Sequence, residues 1–444
     1  IVIRGNSPNT LLWRLEGVEI PNPNHFVYLT GGSVSMLSAN VLDKTDFFTS
    51  AFPAEYGNGI AGVFDLRFRK GNNQKRETTI DAGVLGVGVF TEGYFSKKSD
   101  ASYLVNYRYS TVGLLENFGV KLNEGGNLNY QDVNYNINLP TKKFGTFNVY
   151  GLYGKNKVTT NESEDEDGTV TTGNFVNKAE NDVSTFITGL GHRVFLQDQT
   201  YLKTNITYTI DDAKVSEQVE NNGIIDPLDS ELFDSKIEAF RLSSFINHKF
   251  NSKHTLRSGF TLSHIKENTT LKFSDETDDG TLTSEANAIK GNSNIFQSYV
   301  QWKYRMTESF TLNSGLHFLH FGKTNSNAIE PRLGLNYKIN NKHSLSFGAG
   351  LHSRAERLNT YLLKDATDTN FINTNLKLSK ALHYVLGYNW RINKNTRFKA
   401  EAYYQNLFDV PVDNSGQSDY TSINSQVFDV FDIVNTPLTN DGKG

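Results

Sequence analysis

The 444-residue sequence has no cysteine, two methionines, three tryptophans and nine prolines. Without Cys there is no thiol catalysis, no thiolate metal site and no disulfide framework. No run of about 18 apolar residues occurs, so no segment qualifies as a transmembrane helix, and the mean hydropathy is −0.47. Neither sign of charge dominates. The 44 Lys and Arg against 48 Asp and Glu leave a net charge of −4, too balanced for a nucleic-acid binder held by a basic face. Catalytic signatures are missing as well: there is no Gly-x-Ser-x-Gly and no HExxH. Gly86-Val87-Gly88 lies in an alternating segment with no helix after it to receive a phosphate, and reads as small, close-packed residues. His317 and His320 are three apart on a strand, face opposite sides and cannot share a metal. These absences argue against an enzyme and against a resident cofactor or metal.

What the sequence does have is period-2 alternation in segments of about 10 residues, the pattern of a transmembrane β-barrel. Ala101, Tyr103, Val105, Tyr107 and Tyr109 share one face, opposite Ser102, Asn106, Arg108 and Ser110, with Leu104 as an exception. Leu202, Ile206, Tyr208 and Ile210 likewise oppose Lys203, Asn205, Thr207 and Thr209. The same holds for Leu345, Phe347, Ala349 and Leu351, and for Phe398, Ala400, Ala402 and Tyr404 against Arg397, Lys399, Glu401 and Gln405. The apolar sets should face lipid, and Arg108, Lys203 and Glu401 should face inward. Seven short polar turns, near residues 96–100, 141–145, 197–199, 251–253, 306–308, 340–342 and 393–395, alternate with longer segments at 111–127, 156–180, 212–236, 266–292 and 353–375, with one shorter case at 322–328. Seven hairpins imply about 14 strands, with short turns at one rim and long loops at the other. Tyr103, Tyr107, Tyr109, Tyr150, Tyr153, Phe318, Phe321, Tyr403 and Tyr404 cluster near strand ends and suggest headgroup-level girdles.

The first 74 residues are rich in Gly, Pro and Asn and lack this alternation, so they read as a small mixed unit ahead of the sheet. Ile3-Arg4-Gly5 followed by Leu12-Trp13-Arg14-Leu15-Glu16-Gly17-Val18-Glu19-Ile20 resembles the opening passage of the plug domain of TonB-dependent outer-membrane receptors. The closing plug passage is similar to Pro53-Ala54-Glu55-Tyr56-Gly57-Asn58-Gly59-Ile60-Ala61-Gly62-Val63-Phe64-Asp65-Leu66. Ile329 to Leu335 and Ala400 to Gln405 look like pieces of the family's barrel. Ile3, Gly5, Gly17, Tyr56, Gly57 and Gly62 are the plug-motif positions. Glu16 stands where Asp is usual, and Phe52 where an arginine is usual.

The resemblance implies an all-β fold with a plug, residues 1–74, inside a barrel, residues 75–444. About 14 of the family's expected 22 strands would be present, so the chain is expected to be a receptor fragment lacking both ends. It implies a bacterial (Gram-negative) outer-membrane location and active import of a scarce nutrient such as a metal chelate, oligosaccharide or peptide. The implied partners are the TonB–ExbB–ExbD complex, outer-membrane lipid and an unidentified small ligand. A receptor-like barrel serving in signalling or assembly without transport is the alternative. Abundant Asn and Lys suggests a Bacteroidetes-type receptor, and Glu55 to Val63 lacks the Arg-Gly-Ala-Asn stretch of the starch-utilisation subfamily. Related receptors hold the plug by Arg–Glu pairs, so Arg4 should find a carboxylate with fork geometry. Glu401 is the first choice and Glu330 the second, and loss of the arginine at Phe52 should halve the usual pairing. The acidic runs Glu162–Asp167 and Asp275–Asp279 are candidate Ca²⁺ loops, although neither has EF-hand spacing.

Overall fold

The computed structural model describes residues 3–84, 86–111, 126–163, 175–221, 224–276, 282–364, 370–413, 415, 420–423 and 437–444. The N-terminal unit is built on a four-stranded sheet ordered β2-β1-β6-β5. Here β1 is Leu11–Leu15, β2 is Val18–Ile20, β5 is Asp46–Phe48 and β6 is Gly62–Leu66. Between β2 and β5 lie β3 (Asn24–His25), β4 (Val34–Ser35) and a one-turn helix α1 (Val27–Thr30). β1 and β2 form a hairpin whose two turn residues, Glu16 and Gly17, have φ of +55° and +93°. Such a two-residue turn needs positive φ at both positions, which suits Gly17 and strains Glu16. β6 then runs parallel to β1, pairing Leu11 with Gly62 and Leu15 with Leu66.

Fifteen strands follow in one antiparallel sheet, each paired with its neighbours in sequence. They are β7 (Glu77–Ala82), β8 (Val87–Tyr94), β9 (Ser102–Tyr109), β10 (Gly126–Pro140) and β11 (Thr146–Ser163). Next come β12 (Phe175–Gln197), β13 (Thr200–Asn221), β14 (Ile224–Lys249), β15 (His254–Glu276) and β16 (Leu282–Arg305). The last five are β17 (Phe310–Phe321), β18 (Ser326–Lys338), β19 (His343–Arg354), β20 (Ser379–Arg391) and β21 (Arg397–Phe408). The sheet is open, with β7 and β21 as its edges. The seven short turns join β8 through β21 in pairs. β7 is the extra strand, tied to β8 at the other rim by a connection too short to look like a long loop. A short helix α2 (Leu358–Leu362) follows β19, and β22 (Val410–Asp413) pairs with β23 (Leu438–Gly442).

Three expected loops are largely strand. The segments 156–180, 212–236 and 266–292 continue the ladders, so β12 through β16 run to 22–26 residues, against about 10 needed to cross a bilayer. Alternation persists along these arms, and their inward side chains turn apolar. Val183, Val215, Phe233, Leu271 and Ile289 are buried together with Leu358, Tyr361 and Leu362 of α2. The acidic runs lie outside the described residues except for the strand ends that carry Glu162, Asp275 and Glu276.

The sheet curls around the N-terminal unit, which touches inward side chains from β8 at one side to β21 at the other. Asn106, Asn134, Asn156, Asn205 and Thr207 are buried on the inner face, while Tyr107, Leu345 and Phe398 are exposed on the outer one. Ala101, expected outside, is buried in the β8–β9 turn. Tyr150 and Phe321 are not girdle residues: both point inward and are fully buried. Leu104 breaks the polar pattern of its face for a packing reason. With Tyr150, Leu152 and Ile187 it meets Leu15, Ile20, Met36 and Phe68 of the N-terminal unit. Leu104→Ala and Leu152→Ala each empty a fully buried site at a cost of about 2–5 kcal/mol. Calorimetry should show earlier undocking of the N-terminal unit in both variants, with Leu345→Ala on the outer face leaving that step unmoved.

Candidate functional site

The contact between the N-terminal unit and the curled wall is a ring of polar side chains. On β8, Glu92 takes both Arg69 Nη1 and Nη2, at 2.7 and 2.8 Å. On β9 and β10, Arg108 donates to Asp132 and to the Ser35 carbonyl, and Asn134 donates to the Met36 carbonyl. On β13, Lys203 Nζ stands 3.0 Å from Glu16 Oε2, and Asn205 donates to the Glu16 carbonyl. On β15, Arg257 Nη1 lies 2.6 Å from Glu55 Oε2. On β17, His317 Nδ1 donates to the Ala54 carbonyl at 2.7 Å. On β20, His383 Nδ1 accepts from the Ala51 amide.

Arg4 Nη2 lies 3.0 Å from Glu401 Oε2 on β21, with the guanidinium 4.1 Å over the Tyr403 ring. The contact is single rather than forked, because the other Glu401 oxygen takes Lys399 at 2.7 Å. Glu330 is not a partner of Arg4. It is fully buried and accepts from Arg332 on its own strand and from Ser353. Arg332 in turn donates to the Phe52 and Tyr56 carbonyls and lies 5.0 Å from the Phe52 ring centre. Pairing is therefore not halved by the missing arginine at Phe52. The wall supplies a guanidinium there, and two of the ion pairs are reversed, with carboxylates Glu16 and Glu55 on the unit and cations on the wall.

The motif positions serve this docking. Ile3 is buried on β6 near Gly62, whose missing side chain leaves room for the Phe48 carbonyl. Gly5 has φ +80°, and Gly57 sits where a Cβ would run into the His317 ring. The Tyr56 hydroxyl donates to Asp65 at 3.2 Å, under the Arg14 guanidinium. Burial on its own would raise the Asp65 carboxyl, but Arg14 and Arg67 outweigh it and hold the group below its ordinary range. Burial keeps the His25 ring neutral in spite of Asp132 at 3.2 Å, so Nε2–H donates to Asp132 as an ordinary hydrogen bond.

Beside this ring is a cavity of about 250 Å³ between the unit and strands β13 to β17. Glu19 and Asn58 line it from the unit, Asp211, Arg241 and Glu267 from the wall, and Arg357 from the segment before α2. Arg241 donates to Thr209 Oγ1 at 3.1 Å and leaves Nε without a partner. Glu267 accepts from Thr269, leaving Oε2 free. The chamber thus offers a buried donor and a buried acceptor to a polar solute. Among the described residues no three His, Asp or Glu side chains are placed to hold a metal.

The profile of the family described as TonB dependent receptor-like, beta-barrel matches residues 37–443. The chain belongs to this family. Among curated proteins none matches the sequence. Solved structures share the fold: the outer membrane transporter YddB from Escherichia coli superposes with a TM-score of 0.64 at 12% identity over 100% of this chain and 66% of that one. The siderophore receptor PiuA from Acinetobacter baumannii gives 0.60 at 13% identity over 89% and 64%. PirA, another siderophore receptor of that organism, gives 0.62 at 15% over 95% and 68%. The chain therefore spans about two thirds of the length of these receptors, whose architecture is a plug within a barrel.

Most plug–wall partners were not identifiable from sequence, although the inward placement of Lys203 and Arg108 was. Two measurements test the docking. A double-mutant cycle on Arg257→Ala and Glu55→Ala should return a coupling of about 1–3 kcal/mol, as for a hydrogen bond to a charged group. The cycle on Arg4 and Glu401 should return less, about 0–1 kcal/mol, because Glu401 is half-exposed and shared. Acid should loosen the plug through Asp65. Its lowered carboxyl stabilises fully above the unfolded value of about 3.9 and less as pH falls through the folded one. Asp65→Asn should flatten that acid limb in a plot of plug stability against pH.

Proposed function

We propose that the protein imports a scarce nutrient across the outer membrane of a Gram-negative bacterium, energised by the TonB–ExbB–ExbD complex. In this reading residues 1–74 act as the plug and residues 75–444 form the wall that grips it, with Arg4–Glu401 among the retaining contacts. The observation that carries the proposal is the chamber: a water-sized-to-small-ligand space between plug and wall, lined by Arg241 and Glu267 with unused hydrogen-bonding capacity. Such groups are costly to bury unless something completes their bonds. Family membership and the fold shared with siderophore receptors support import as the class of activity. The ligand class stays as broad as metal chelate, oligosaccharide or peptide. The Asn- and Lys-rich composition supports a Bacteroidetes-type receptor outside the starch-utilisation subfamily.

Deleting the receptor and growing cells on a panel of sole nutrient and iron sources is the deciding experiment. Growth should fail on one source and return with the intact gene. Arg241→Ala should restore it poorly, with uptake down about tenfold, the equivalent of one lost charged hydrogen bond. Undiminished growth on every source, with the protein present in the membrane, would leave only a signalling or assembly role.

A further inference from the structure

The charge of this chain is sorted along the barrel axis. In the seven short turns and their flanking residues there are twelve Lys or Arg against three acids, Asp100, Asp198 and Glu308. Among the described residues of the three long arms at 156–180, 212–236 and 266–292 the balance is seven against thirteen. The basic residues of the turns, such as Lys97, Lys142, Lys253, Lys342, Arg391 and Lys394, are all exposed. None of the twelve has a carboxylate within ion-pairing distance among the described residues.

A second regularity coincides with the first. Every short turn carries a large apolar side chain open to its surroundings: Phe95, Phe144, Phe195 with Leu196, Phe250, Met306, Ile339 and Ile392. Phe144 is 69% exposed and Phe195 60%; one such residue would be ordinary on a wet surface, and it is the recurrence in all seven turns that points to an apolar surrounding. Just beside them, on the outer face, two aromatic stacks stand side by side with histidines. His254 stacks on Trp302 and Tyr304 with ring centres 5.6 and 4.4 Å apart, and His343 on Trp390 and Tyr388 at 5.6 and 6.0 Å. Amphipathic rings of this kind favour the headgroup level.

We propose that the short-turn rim is a binding surface for anionic phospholipid headgroups. Each turn seats its apolar side chain at the edge of the acyl chains, and the lysines and arginines of six of the seven meet the phosphates, as juxtamembrane basic clusters do; the β12–β13 turn has only Asp198. An acidic protein partner would account for basic residues in one sector. It would not account for an apolar side chain in each of the seven turns, from the β8–β9 hairpin round to β20–β21. The inference rests on the family's membrane placement and not on transport.

The tryptophans give a local readout, since Trp302 and Trp390 lie at this rim and only Trp13 lies elsewhere, in the plug. The whole chain is reconstituted in phosphatidylcholine bilayers containing brominated phosphatidylglycerol or, at the same mole fraction, brominated phosphatidylcholine. The anionic probe should quench as though enriched about fivefold around the rim. Combining Lys253→Gln, Arg305→Gln, Lys342→Gln and Arg391→Gln should bring that ratio close to one, whereas Lys157→Gln with Lys214→Gln on the long arms should leave it unchanged. Molar salt on the unaltered protein should have the effect of the fourfold variant, so the result does not hang on the variant folding. Equal quenching by the two probes at low salt would overturn the proposal and favour an acidic protein partner. Quenching by neither would instead remove the membrane placement.

Discussion

Because successive side chains of a strand leave on opposite faces, a sheet that offers one face to lipid must turn an equally long face inward. In this chain that inner face is mostly Asn, Thr, Ser and charged residues, and leaving their hydrogen-bonding groups unmet where the plug excludes water is costly. The plug is the answer to that requirement. Its backbone carbonyls at Glu16, Ser35, Met36, Phe52, Ala54 and Tyr56 accept from wall side chains one after another around the sheet. Irregular backbone is an asset here. A plug made of regular helix or sheet would spend its carbonyls on itself, whereas loops keep them available to the wall.

This way of filling a barrel has an energetic consequence. Partly exposed ion pairs contribute about 0–1 kcal/mol each, and hydrogen bonds exchanged for water cost little more. The ring of contacts therefore specifies position and orientation more than it seals. Tighter adhesion comes chiefly from one sector, where Leu104, Tyr150, Leu152 and Ile187 of the wall close on Leu15, Met36 and Phe68. The plug is gripped most broadly on the β9–β12 side, with smaller apolar contacts where Tyr28 meets Phe233 and where Ile60 meets Ala381 and Leu407, and polar contacts between them. A plug so held can shift toward one side without first breaking an apolar seal all round.

Much of this was legible in the sequence, for reasons that also explain what was not. Facing is encoded locally by alternation, so Lys203 and Glu401 could be placed on the inner surface without knowing what they meet. Turn positions are marked by Asn, Lys and Gly, so the seven hairpins were visible. Partners are another matter. Lys203 and Glu16 are 187 residues apart, and nothing in either neighbourhood names the other. The same applies to Arg332, whose donation to the Phe52 carbonyl replaces a familiar plug arginine with a wall one. The long arms were misread because polar, Thr- and Asn-rich stretches look like loops, although their alternation never stops. Only the apolar residues that meet α2 show why they are ordered as strands, and those too are contacts between distant segments. Tyr150 was misplaced for a related reason: an aromatic near a strand end looks the same whether it faces headgroups or plug.

The chamber has two covers, and their chemistry differs. On the plug side it is closed by segments tied to the wall through the polar ring and the apolar sector together, so opening there disturbs many contacts at once. On the other side it is closed by Ala355 to Leu363, in which Leu358, Tyr361, Leu362 and Leu363 are buried against the long arms. Withdrawing one such side chain costs about 1.5–3 kcal/mol, and the four lie in a single short segment. Polar anchoring of this cover runs both ways: the Ala355 amide donates to Asn58 and Arg357 to Asn9 on the plug, while Ser379 donates to Glu356, Asn373 to the Thr360 carbonyl and the Ile372 amide to the Leu363 carbonyl. Leu362 packs into the gap left by Gly291, which has no side chain to interlock with it. The cover toward the long arms is thus held by apolar burial against the arms and by hydrogen bonds to plug and wall together. Because Ala355 is bonded to Asn58 and Arg357 to Asn9, moving this cover also pulls on the plug, so the two sides of the chamber are mechanically linked.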